Sequence, residues 1–279
     1  MNEKIKEIQK CCLKLFDKFI EVCNKHKLSW FVDGGTLLGA IREGKMIEWD
    51  DDIDIVMPRS DFNTLLSIGI TEFKDEYFFQ TTYTDNIFQL MIKLRLKNTV
   101  GMTRNEYYSN CQKGIFIDIF PLDYVSNDDK LKLLQKFAMS SKEIEFNQKL
   151  TRKQLIQNFN TYNQFFTLTS SLDSEKKYVA EVILYRYSRY QNFDMRISAN
   201  AYSKYTLMNF EGLKNKIRIP IGYDEILRKW YGDSYMMPMR ENNLHGTTFY
   251  DTEHDISYYS NYKTVSFEEF CKSNNCTNF

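Results

Sequence analysis

The chain has 279 residues, of which 43% are apolar and 15% aromatic, and it contains only 11 Gly and 4 Pro. This composition excludes a disordered chain and indicates a packed, helix-rich protein with a sizeable core. The 37 basic residues balance the 37 acidic ones, so no overall positive field attracts nucleic acid.

The apolar and cysteine residues are distributed as in a cytoplasmic protein. No apolar run approaches the roughly 18 to 20 residues that span a bilayer, so we expect no transmembrane segment, with peripheral contact to the inner face of the membrane left open. The six cysteines follow no CxxC spacing and predict reduced thiols instead of a zinc site or disulfide framework. Cys271 and Cys276 are the one pair that calls for a test.

The N-terminal part alternates helices with short strands. Apolar residues at helical or alternating spacing predict helices over 4–26, 36–42 and 60–68, and strands over 28–32, 52–57, 89–96 and 115–120. Pro121 is expected to end the last strand. Together these elements predict an α+β fold, a small mixed sheet with flanking helices.

The remainder of the chain changes character. Neither Gly nor Pro occurs between Pro121 and Gly212, which predicts long helices over about 128–210. A strand over 216–221 and a helix over 223–231 follow. We therefore expect a compact core in 1–125, a mainly helical region in 126–215, and a C-terminal segment in 216–279 that completes the site.

The sequence WDDDIDIVM at residues 49–57 concentrates negative charge at a predicted strand. Alternation places Asp52 and Asp54 on one face, about 7 Å apart, where they could share a hard cation such as Mg²⁺. A calcium loop is excluded because its sixth and twelfth positions hold Ile55 and Asp61. The simpler alternative is a solvated acidic turn, but the apolar residues on both sides favour a buried strand.

Two further features separate this run from the bare DxD of a metal-dependent glycosyltransferase. Gly34 and Gly35 lie at a predicted strand-to-helix turn, where backbone N–H groups can approach a phosphate closely. Asp118 stands alone among apolar neighbours in FIDIF. A Gly-Gly turn, an acidic strand and a lone buried carboxylate together are the pattern of the nucleotidyltransferase superfamily.

Longer motifs make the resemblance specific. FVDGGTLLGAIREGKMIEWDDDIDIVMPRSDF, IDIFPLD and IPIGYDEILRKWYGDSYMMP resemble the LicD family, which is also similar to the fukutin-related transferases. The match is close over about 25–125 and looser over 216–245. The resemblance implies a nucleotidyltransferase-like catalytic core. It also implies transfer of a phospho-alcohol from a CDP-linked donor to a sugar hydroxyl of a teichoic acid, capsule or lipopolysaccharide. Phosphocholine is the favoured group, and glycerol phosphate and ribitol phosphate are the alternatives.

The resemblance also implies roles for individual residues. Asp52 and Asp54 would bind Mg²⁺ or Mn²⁺, with Asp118 as the third carboxylate and as a candidate base. The donor would be held by Gly34, Gly35, Thr36, Arg42, Lys93, Arg95 and His245. The partners would be the CDP-alcohol and a glycan acceptor, free or lipid-linked, and no nucleic acid.

Two other functions fit the same residues. A nucleotidyltransferase would move a nucleotide from a nucleoside triphosphate to a small molecule and release pyrophosphate. A non-catalytic protein would keep the fold only to bind a glycan or nucleotide.

Overall fold

The computed structural model describes residues 3–145, 149–238 and 248–274. Its helices are α1 Glu3–His26, α2 Gly34–Glu43, α3 Arg59–Glu72, α4 Arg104–Tyr108, α5 Asp128–Glu145, α6 Arg152–Ser171, α7 Tyr223–Tyr231 and α8 Phe267–Ser273. Its strands are β1 Phe31–Val32, β2 Asp54–Pro58, β3 Tyr77–Gln80, β4 Ile92–Leu96, β5 Val100–Thr103, β6 Phe116–Tyr124, β7 Tyr178–Ala180, β8 Ile197–Ser198, β9 Tyr205–Met208, β10 Ile217–Pro220 and β11 Thr248–Asp251. The α+β class predicted from the sequence is confirmed.

A mixed sheet in the order β1-β2-β6-β4-β3 organises the molecule. Its two central strands, β2 and β6, are parallel, and Asp54 lies directly opposite Asp118. The other pairs in this order are antiparallel. Both acidic residues stand at or near the first residue of their strands, so the sheet brings them to a single edge.

Helix α1 covers one face of this sheet. Its buried side chains recur at helical spacing, and they include Leu15, Phe16 and Phe19. The rings of Phe16 and Phe19 each meet Trp30 edge-on at a centroid distance of 5.5 Å. Burial of such side chains contributes about 1.5–3 kcal/mol each, which explains why a helix with charges every few residues docks firmly here.

Strand β6 is longer than the sequence predicted. It runs through Pro121 to Tyr124, and Pro121 lies opposite Met57 of β2. Strand β4 pairs with β6 only as far as Ile119, so near Pro121 one side of β6 lacks this neighbour and the missing N–H is tolerated. The prediction that Pro121 ends the strand was wrong.

The middle of the chain is less helical than predicted. Helices α5 and α6 are present, but after Ser171 the chain forms β7, β8, β9 and short 3₁₀ turns. Strand β7 pairs with the end of β6, Asp123 lying opposite Ala180. This long-range pairing overrides a composition that permits helix without requiring it. Since the middle region contributes to the central sheet, the division of the chain at residue 125 stays a prediction.

The C-terminal elements support the core from two sides. Strand β10 and helix α7 occur where the sequence predicted them. Strand β11 pairs with β5, which places Tyr250 beside the acidic run. Among the described residues no helix has both the length and the apolar character needed to cross a membrane.

Candidate active site

The site is built around the start of helix α2. Asp33 has an extended backbone and caps the helix, its side chain accepting a hydrogen bond of 2.8 Å from Gly34 N. Gly34 follows with a φ of +53°, in the left-handed region that favours glycine. The predicted strand, Gly-Gly turn and helix are present, and the helix begins at the first of the two glycines.

Strand β2 is tied to this turn through its first residue. The backbone N–H of Asp54 donates to Thr36 Oγ1 over 2.9 Å, and its carbonyl accepts from Asp33 N over 3.1 Å. Thr36 is buried. The structure therefore gives Thr36 a contact with the backbone of Asp54, whereas the sequence suggested a contact with a donor phosphate.

The two glycines allow carboxylates to lie against the helix terminus. A Cβ atom at Gly34 would lie 2.7 Å from Asp54 Oδ2, and one at Gly35 would lie 2.5 Å from Asp50 Oδ2. Both separations are shorter than real side chains accept. The Gly-Gly pair thus has a second role that the sequence did not reveal, which is to seat Asp54 and Asp50.

The acidic residues before the strand form a group of their own. Asp50, Asp51 and Asp52 each place one carboxylate oxygen within 4.8 Å of the others. Tyr250 donates a 2.9 Å hydrogen bond to Asp51, and Gln9 donates one of 2.9 Å to the carbonyl of Asp50. Strand β2 begins only at Asp54, so the prediction that Asp52 and Asp54 share a strand face was wrong. Asp52 reaches the site from the preceding loop.

Asp118 is paired with a cation. It lies directly opposite Lys93 on β4, with Lys93 Nζ 2.9 Å from Oδ1 and 3.2 Å from Oδ2. The ammonium also lies 3.3 Å from the centroid of the Phe116 ring. The Oδ1 contact is an ion pair outside hydrogen-bond geometry, since this buried oxygen has no hydrogen-bond partner among the residues that the structure describes. A lone pair of Asp118 therefore remains for another ligand.

The clustered carboxyl groups raise one another's pKa. Burial, followed by the charge of Asp52, raises the pKa of both Asp50 and Asp54 well above the ordinary value. Asp118 adds to the effect on Asp54. Hard divalent cations prefer carboxylate oxygens as ligands. These partly buried carboxylates, which repel one another, therefore form a donor set that fits Mg²⁺ or Mn²⁺.

The sequence interpretation missed a second acidic pair beside the turn. Asp33 is buried, accepts a 3.2 Å hydrogen bond from the Tyr202 hydroxyl, and shares another with Glu181. Burial raises the pKa of Asp33 to about 6, and burial next to Asp33 raises the pKa of Glu181 well above its usual range. Asp33 could have been found from the DGGT motif. Glu181 could not, because it follows β7 in a region without a motif.

The predicted cations lie in different places. Lys93 reaches the carboxylates, whereas Arg95 is fully buried and bonds to Glu106, Gln80 and two backbone carbonyls. Arg42 lies in the last turn of α2, about 12 Å along the helix from Gly34. The structure therefore does not bring Arg95 to the site, and the helix separates Arg42 from the turn. His245 and Cys276 lie outside the described residues.

These features define the class of the protein. A Gly-Gly turn at a helix terminus, facing carboxylates on two parallel strands, is a nucleotidyltransferase-type site. Residues 27–163 match the family model described as LicD/FKTN/FKRP, nucleotidyltransferase domain. The lipopolysaccharide cholinephosphotransferase LicD of Haemophilus influenzae is 26% identical, in an alignment that covers 85% of this chain and 94% of that protein. Together these two matches support a LicD-family phosphotransferase, as the sequence motifs predicted.

A solved structure was also matched. The antibiotic-resistance factor ANT(2'')-Ia is 13% identical, and the match covers 62% of this chain and 88% of that one. Its TM-score of 0.21 is too low to support a conclusion about fold or function.

Proposed function

We propose that this enzyme transfers phosphocholine from a CDP-linked donor to a sugar hydroxyl of a cell-surface glycan. The Haemophilus influenzae relative is named for phosphocholine transfer to lipopolysaccharide, and the alignment spans nearly all of that protein. The observation that carries the proposal is the placement of Asp54 opposite Asp118 at the sheet edge where α2 begins.

In this proposal Asp50, Asp52, Asp54 and Asp118 hold one or two Mg²⁺ or Mn²⁺ ions. The bound cation would neutralise charge on the donor diphosphate. The N–H groups of Gly35 and Thr36, which donate no hydrogen bond to the described residues, would bind a phosphate oxygen, since a helix N-terminus favours anions. Gly34 and Gly35 leave room for that approach.

Asp118 is the proposed base. The reaction forms a bond between the acceptor oxygen and the choline-bearing phosphorus, and it breaks the bond from that phosphorus to CMP. The proton of the acceptor hydroxyl passes to a carboxylate oxygen of Asp118. Lys93, whose Nζ lies 2.9 Å from Oδ1 of Asp118, would hold this carboxylate in position for the transfer. The role of the protein is mainly to align donor and acceptor, as phosphoryl transfer requires.

The test supplies two donor classes to the purified chain with Mg²⁺ and a glycan acceptor. CDP-choline should yield CMP and a choline-phosphorylated glycan. A nucleotidyltransferase would instead use CTP and release pyrophosphate. Release of pyrophosphate without CMP would overturn the proposed function, and CDP-glycerol and CDP-ribitol, included as further donors, test the choice of alcohol.

A further inference from the structure

The sequence of α6 lacks charge over an unusual length. Residues 154–172 contain no Asp, Glu, Lys or Arg, whereas a protein with 27% charged residues would place about five in a segment of that length. The helix is not buried on all sides, because Gln154, Gln157, Asn160 and Gln164 are exposed. Surface helices normally carry charge on the solvent side. This one instead presents amides and hydroxyls, together with the exposed Leu168.

Two of these side chains, Asn160 and Gln164, line a groove between α3 and α6. The groove has a volume of about 570 Å³. It is lined by Asn63 of α3 and by Asn160, Asn163, Gln164, Thr167, Leu168 and Ser171 of α6. The α6 residues follow helical spacing and form one continuous row about 16 Å long.

The floor of the groove is held in place by a directional chain of hydrogen bonds. Arg59 donates to Asn163 over 3.1 Å, Asn163 to Asn63 over 3.2 Å, and Asn63 to Thr167 over 2.9 Å. Arg59 is itself fixed by a buried ion pair with Asp123. This series of hydrogen bonds ends at the Thr167 hydroxyl, which donates no hydrogen bond within the described part of the protein.

The rim of the groove offers further groups for a ligand. Asn160 accepts a hydrogen bond from the Tyr83 hydroxyl through its oxygen, so its amide protons remain available. The amide of Gln164 has no hydrogen bond or ion pair to the described residues and can both donate and accept. The ring of Tyr83, exposed by 42%, adds an apolar surface with a polar tip next to Asn160.

From these contacts we infer that the groove between α3 and α6 binds an uncharged stretch of a glycan. Sugar hydroxyls both donate and accept hydrogen bonds, as amides and hydroxyls do, so the two sets of groups are complementary. The pre-oriented floor reduces the entropy lost on binding. The ligand class follows from the groove alone, but its identification with the acceptor glycan rests on the proposed function.

The groove is separate from the transfer site. Arg59 follows the end of β2 and Asp54 begins it, so the two lie about 16 Å apart along the strand. A monosaccharide cannot reach both places, whereas an extended glycan can. Engagement at both would raise the effective concentration of the acceptor end at the site.

The test compares two double variants of the full chain. Asn160→Ala with Gln164→Ala removes exposed groups from the groove, and Gln157→Ala with Thr161→Ala removes exposed groups from another part of the same helix. Binding of a panel of defined neutral hexasaccharides is measured by ligand-observed NMR, with thermal melts to confirm that both variants fold. We expect the groove variant to bind about tenfold more weakly and the control to match the wild-type protein.

Absence of hexasaccharide binding by the wild-type chain, or equal binding by both variants, would overturn the inference. If the wild-type chain transfers phosphocholine, the groove variant should also raise the KM for a long acceptor without changing the KM for a monosaccharide acceptor. If transfer fails altogether, the proposed function falls, and the hexasaccharide measurement still decides whether the groove binds glycans.

Discussion

Asp54 and Asp118 lie opposite each other on adjacent parallel strands, and of the two only Asp118 forms an ion pair within the described part of the chain. Asp118 is paired with Lys93, whereas Asp54 faces the carboxylates of Asp52 and Asp50. The pair therefore joins a carboxylate that has a cationic neighbour to one whose charge is opposed by burial and by other carboxylates. In the proposed mechanism both carboxylates bind the divalent cation, and Asp118 has the additional role of accepting the proton.

The first prediction concerns Asp54. Asp54→Asn should abolish turnover and yet raise the melting temperature of the metal-free protein. Burial and neighbouring carboxylates oppose the charge of Asp54, and the amide removes that repulsion. Thermal melts in EDTA and an assay in Mg²⁺ measure the two effects. Asp118→Asn is the matched comparison, since it should leave Lys93 unpaired and bring no gain in stability.

The second prediction concerns pH. The pKa of Asp33 is about 6 in the folded protein and 3.8 in the unfolded chain. Between pH 3.8 and pH 6 the folded state therefore binds a proton that the unfolded chain has lost. Its stabilising contribution is complete below pH 3.8 and is lost as the pH rises through 6, by an amount on the order of 3 kcal/mol. Urea unfolding of the metal-free protein between pH 4 and 6 should show this decline, to which the raised pKa values of Asp50, Asp54 and Glu181 add in the same direction. Asp33→Asn should therefore make the decline less steep.

Asp173 provides the control for that experiment. Its pKa is lowered to about 2 despite partial burial, through hydrogen bonds from Ser126 and Lys130. Its contribution is lost only as the pH falls from about 4 to 2. Asp173→Asn should leave the slope between pH 4 and 6 unchanged, and a wild-type stability that rises over this interval would contradict the assignment to Asp33.

The third prediction concerns the Gly-Gly turn. Gly35→Ala should lower turnover because the new Cβ atom would displace Asp50, from which it would be separated by 2.5 Å. If the loss acts through Asp50, it should disappear in an Asp50→Ala background, a non-additivity that a double-mutant cycle measures. Additive losses would show that Gly35 acts independently of Asp50, through the backbone or the donor.

The fourth prediction separates Arg95 from Lys93. Arg95→Met should destabilise the protein by about 3–5 kcal/mol, because Glu106 would be left as a buried unpaired charge. Arg95→Met with Glu106→Gln should recover much of that loss. Lys93→Met should instead reduce turnover more than stability, since its ion pair lies in the acidic site. Denaturant unfolding and kinetics of the same three variants check this division.

The sequence predicted the parts of the site whose signals are local. The Gly-Gly turn, the acidic run and Asp118 were identified because each has a motif within a few residues. The predictions that were wrong concern elements that depend on long-range strand pairing. The extension of β6 past Pro121 requires β2 beside it, and the strands after Ser171 require the end of β6. The burial of Arg95 also depends on partners distant in sequence, so its alternation with Lys93 could not distinguish a structural from a functional cation.

The most direct test of the central claim is the mass of the acceptor glycan after incubation with CDP-choline, Mg²⁺ and the full chain. We predict that the wild-type protein adds one phosphocholine per acceptor and releases CMP in equal amount. Asp54→Asn, folded as shown by its melting curve, should add none. Unchanged addition by Asp54→Asn would contradict the assignment of the reaction to the carboxylates at the start of β2.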